Sequence, residues 1–153
     1  MALVHEFLML PPDLTGNLYE LRKKFIQGQT SLNVRYFSAD EYPQYTSMQQ
    51  EALKESENIL RQFYTENRRR SIAIKDAYIL PQLEKYKEID TFMEGCVSYR
   101  GLNYYGYTVI PWGSLQAFVS ASCNARIINE YPDLNTLFQD AYARNCEIFH
   151  CGI

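Results

Sequence analysis

A chain of 153 residues is the size of one ordinary domain, and 46% apolar against 22% charged residues excludes an intrinsically disordered polypeptide. A net charge of −3 argues against a protein whose main work is wrapping nucleic acid, which needs concentrated positive charge. Thirteen tyrosines and 8 phenylalanines beside a single tryptophan fit a rich core, a sticky partner surface or a stacking site, and composition does not choose among them.

In chain order, the opening MALVHEFLML is apolar but has neither a basic leader nor a small-residue cleavage site, so it does not read as a signal peptide. Nor does any stretch approach the ~20 apolar residues that span a bilayer. Residues 15–28 predict a short helix, capped by Thr15, with Leu18, Leu21, Phe25 and Ile26 on one face and Gly28 as its stop. Residues 31–45 carry mixed signals and Pro43, and read as extended or loop. The clearest helix follows: Met48, Ala52, Leu53, Ile59, Leu60, Phe63 and Tyr64 recur at helical spacing, and Ser47 with Gln50 has the form of a capping box. Arg68, Arg69 and Arg70 then read as the solvated end of that helix, favoured by its dipole.

Ile72 to Leu80 predicts a further helix ending before Pro81. Another runs from Gln82 to Glu94, with Leu83, Tyr86, Ile89 and Met93 on one side and Gly95 as its stop. Beyond Gly95 the texture changes. CVSYRG, YTVIPW and LQAFVS read as strands, ARIINEY and LNTLFQDAYA as helices, and CEIFHCGI as a last strand. The expected fold is therefore a single α+β domain over 1–153: mainly helical over 1–94, packed on a small mixed β core over 95–153.

The four cysteines, Cys96, Cys123, Cys146 and Cys151, have no framework-like spacing, which fits a reduced, cytoplasmic protein. Cys146, His150 and Cys151 are close in sequence, but a structural zinc site wants four ligands and the chain has only two histidines, His5 and His150. They read as buried thiols on a strand, so no metal is expected. The same scarcity of histidine makes a Ser-His-Asp triad improbable, and no phosphate loop or HExxH motif is present.

Two stretches carry a chemical pattern. Tyr99-Arg100-Gly101 ends one expected strand, and Phe118-Val119-Ser120-Ala121-Ser122 ends another, followed by a helix. Together they resemble the ADP-ribosyltransferases of the arginine-serine-glutamate class, found among bacterial toxins and bacteriophage enzymes, over roughly residues 45–150. The helices upstream, with Tyr45-Thr46 before a helix that carries Leu60-Arg61, look similar too.

The resemblance implies a cytoplasmic transferase that uses NAD as its substrate, without a metal, to modify a macromolecular target. In that reading Arg100 holds the dinucleotide phosphates, a task its planar guanidinium suits. The Gly101 peptide bonds the nicotinamide amide, Ser120 the ribose, and Ser122 belongs to the same site. Tyr104, Tyr105 or Tyr107 stacks on the nicotinamide ring. A carboxylate must stabilise the sugar cation. The family takes it from a downstream Glu/Gln-x-Glu pair, which this sequence lacks, leaving Glu147 as the candidate. The chain then reads as a fragment, as a degenerate relative that binds without catalysing, or as an enzyme with a displaced glutamate. The competing reading is a non-catalytic interaction or assembly protein, a phage or effector component. Its tyrosines and the long amphipathic helix would then meet a protein partner.

Overall fold

The computed structural model describes residues 3–28 and 45–153. The loop expected over residues 31–45 lies outside the described residues except for Tyr45. The chain begins with a strand, β1 (Val4–Met9), that its sequence disguises. Strand alternation is missing because β1 is central in the sheet and packs on both faces, so His5, Glu6, Phe7 and Leu8 are all buried.

Helix α1 (Pro12–Gln27) starts three residues before the expected Thr15 cap, because Pro12 takes the first helical turn, where its missing N–H costs nothing. Gly28 does end it, through close approach and not through a left-handed backbone. A Cβ there would lie 2.9 Å from the Gln49 side chain. Helix α2 (Ser47–Asn67) is capped one residue earlier than expected, by Thr46 and Gln49, which bond each other's backbone N–H at 3.2 and 3.0 Å. A 3-10 turn over Arg68–Arg70 closes it.

The next two expectations are corrected. Residues 72–80 are not one helix: β2 (Ile72–Lys75) adds a strand beside β1, and α3 (Asp76–Tyr86) then runs straight through Pro81. The hydrogen bond lost at Pro81 is offset by burial of Ile79 and Tyr86. The second helix stops at Tyr86, and Asp90–Met93 form β3, paired with β4 (Val97–Arg100) and β5 (Tyr107–Ile110). Between β3 and β4 the turn needs Gly95, whose φ is +86° and whose Cβ would meet the Ser56 hydroxyl at 2.6 Å.

LQAFVS is a helix, α4 (Leu115–Ser122), and not a strand. A 3-10 turn at Trp112–Ser114 starts it, and Leu115, Phe118 and Ser122 then share its buried face at helical spacing. The helices α5 (Arg126–Glu130) and α6 (Pro132–Ala143) and the strand β6 (Ile148–Cys151) follow as expected.

The fold is α+β. Among the described residues six strands run in the order β2-β1-β6-β5-β3-β4, and every pairing is antiparallel, so the sheet there is not mixed. Three of the strands come from before residue 95, which corrects the expected division into a helical half and a β half. One face of the sheet packs Leu8, Leu10, Val109 and Phe149 against α1 and α2; the other packs Phe7, Ile110 and Ile148 against α3, α4, α5 and α6. Among the described residues no helix is long and apolar enough to cross a membrane.

Candidate functional site

The residues expected to form an NAD cleft are dispersed. Arg100 ends β4, an edge strand, with its side chain 67% exposed between Glu88 and Asp90, each 3.6 Å away. Gly101 is buried with φ +80°, and its peptide is already bonded: its N–H donates to Ile89 O at 2.8 Å and its carbonyl accepts from the Thr91 hydroxyl at 2.7 Å.

The Ser-x-Ser motif changes meaning with its secondary structure. On a strand two residues apart share a face, whereas on a helix they point about 200° apart. Because α4 is a helix, Ser120 faces solvent while Ser122 is fully buried, its hydroxyl 2.6 Å from that of Tyr86. Burial pushes the Tyr86 phenol up to about 12, so it stays protonated in that bond. Tyr105 is 80% exposed, and Tyr104 meets it edge-on. Tyr107 packs against Phe149 on the opposite side of the sheet from α4.

Glu147 is buried in a two-pronged ion pair. Arg22 on α1 donates through both terminal nitrogens to its two oxygens at 3.0 Å, and through Nε to Gly95 O at 2.8 Å. The guanidinium also lies 3.9 Å over the Phe92 ring. Three of its five N–H donors, one on each nitrogen, are taken by the protein itself.

Two constellations that the sequence reading missed are present instead. The first is a buried polar chain on the α3–α6 face. The registers Phe7↔His150 and Thr108↔His150 place Thr108 directly beside His150, and His5, two residues before Phe7 on β1, lies diagonally across from His150 on the same face. Asp76, at the start of α3, lies 2.9 Å from His5 Nε2; His5 Nδ1 lies 2.9 Å from His150 Nε2; His150 Nδ1 lies 3.3 Å from the Thr108 hydroxyl. One set of tautomers satisfies every link. His5 donates to Asp76, His150 donates to His5, and Thr108 donates to His150 while accepting the Asn103 N–H at 2.8 Å. Burial, and then the neighbouring His5, hold His150 well below the ordinary histidine value, so it is neutral. Tyr104 packs its ring 5.2 Å from His5 and directs its hydroxyl to Asp76. The signal for this chain was a histidine and a glutamate inside an apolar run, VHEFLM, which only a strand with partners on both faces accommodates.

The second is a groove of about 580 Å³ where β1 leaves the sheet. Met9, Pro11, Pro12, Ile72 and Leu137 supply its accessible apolar lining, and the buried Leu8, Leu10 and Phe63 of α2 also border it. Arg70 and Arg144 line it as well, from the turn after α2 and the C-terminal cap of α6. It sits between the two helical layers because Pro11 and Pro12 turn the chain away from β1 before α1 begins.

Among the described residues no group of three or more His, Cys, Asp or Glu side chains is placed to hold a metal ion. No family model, curated protein or solved structure matches this chain.

Proposed function

We propose that this chain works by binding and not by turnover, and that its working surface is the groove at the end of β1. The observation that carries this reading is the groove itself. Its volume of about 580 Å³ falls in the range of small-molecule sites, and apolar side chains from five separate elements, β1, α1, α2, β2 and α6, line it. The polar chemistry elsewhere is already committed: both histidines are fully buried and bonded to each other, and Glu147 is held by Arg22.

Saturable binding of a neutral apolar dye, N-phenyl-1-naphthylamine, tests the proposal by its fluorescence rise. One site per chain is expected, with affinity falling at least about tenfold in Leu137→Trp, where an indole fills the groove. An unchanged dye affinity in a folded Leu137→Trp protein places the dye elsewhere and sinks the reading.

The NAD-transfer reading asks Arg100 and Ser120 to converge on one ligand, and their placement on an exposed strand edge and an outward helix face gives it no support. Calorimetric titration of NAD into the wild type and into Arg100→Ala is expected to give the same unsaturable heats. Saturable binding that disappears in Arg100→Ala reinstates the transferase.

A further inference from the structure

The groove is not uniformly apolar, and its charge has one sign. Arg70 and Arg144 line it, both side chains belong to exposed residues, and among the described residues no aspartate or glutamate lines it. Arg22, Arg68 and Arg100 have acidic neighbours, whereas Arg61, Arg69 and Arg126 form no ion pair with a described residue, so it is position in the groove that sets Arg70 and Arg144 apart. Neither Arg70 nor Arg144 forms an ion pair with a described residue. Asn67, the remaining polar side chain on the wall, is occupied by its bond to Phe63 O at 2.9 Å.

From this arrangement we infer that the groove takes a single unbranched apolar chain ending in an anionic head group, the chemistry shared by a fatty carboxylate and a single-chain phosphate ester. This rests on the binding reading above and names its ligand. The hydrocarbon lies along Met9, Pro11, Ile72 and Leu137, the partly exposed apolar side chains of the lining, where burial of each methylene is favourable. The head lies at the guanidinium side, where a planar donor fork matches two oxygens of a carboxylate or phosphate. Guanidinium groups held against the helix C-termini and out of the groove give no preference for such a head, which separates that arrangement from this one.

The test is displacement of the neutral dye by three ligands of equal chain length: decanoate, decyl phosphate and decanol. One or both anions are expected to bind about tenfold tighter than decanol, from two rim arginines of ordinary strength. The stronger of the two anions identifies the head. The preference shrinks in high salt and vanishes in Arg70→Gln/Arg144→Gln, while decanol affinity stays unchanged in that variant. Equal affinity for decanol and both anions overturns the inference and leaves the groove reading intact. Failure of all three to displace the dye overturns both.

Discussion

Replacing Glu147 by alanine is expected to lower the free energy of unfolding by about 3–5 kcal/mol, read from urea titration. The reason is the charge left behind. Arg22 and Glu147 keep side-chain exposures of only 8% and 7%, so neither is screened by water to any extent. The pair ties α1 to the segment entering β6, and Arg22 Nε extends the tie to the β3–β4 turn through Gly95 O. Remove the carboxylate, and a guanidinium remains buried over Phe92 with two donors unsatisfied. The double variant Arg22→Met/Glu147→Leu is expected to recover most of the loss, because packed apolar side chains replace a buried ion pair at little net cost. A loss below about 1 kcal/mol in Glu147→Ala shows instead that the pair is open to solvent and discards this account.

The same residue shows what the sequence could and could not convey. Local signals were legible: the spacing of Ala52, Leu60 and Phe63 marked α2, and the aromatic and β-branched run Tyr107-Thr108-Val109-Ile110 marked β5. What failed was context. LQAFVS is apolar enough for a buried strand or a short amphipathic helix, and periodicity over eight residues does not separate them. That one ambiguity decided the site, since Ser120 and Ser122 share a ligand on a strand and part company on a helix. Residues 72–75 and 90–93 failed for another reason. Each has four residues, too few to show a period of two; β2 is fixed as a strand by β1, remote in sequence, and β3 by its hairpin partner β4 together with β5. Glu147 offered no sequence clue to its partner, which lies 125 residues away. The groove was equally invisible, because its walls come from elements between 50 and 130 residues apart on the chain (roughly, from Leu8 to Phe63 and to Leu137).

The histidine pair makes the second large prediction, a stability that falls on mild acidification. In the unfolded chain His150 has an ordinary pKa near ~6.5, and in the folded protein burial and His5 hold it well below that. Below ~6.5 the unfolded state therefore binds a proton that the folded state refuses, so unfolding becomes more favourable as pH falls. The contribution is fully present above pH ~7 and is lost progressively from ~6.5 downward, at up to about 1.4 kcal/mol per pH unit for that one proton. The groups facing His150 do not rescue the charged form. His5 presents a ring nitrogen that already accepts its N–H, Thr108 offers a hydroxyl, and the carboxylate of Asp76 reaches only His5. Urea titrations from pH 7.5 to 5.0 are expected to show the slope, and His150→Leu is expected to flatten it by about one proton's worth. In the native protein the His150 ring resonances should stay fixed across the same range, since no proton enters. Resonances that titrate near 6.5, or a slope equally steep in His150→Leu, assign the acid sensitivity to carboxylates and remove the histidines from the account.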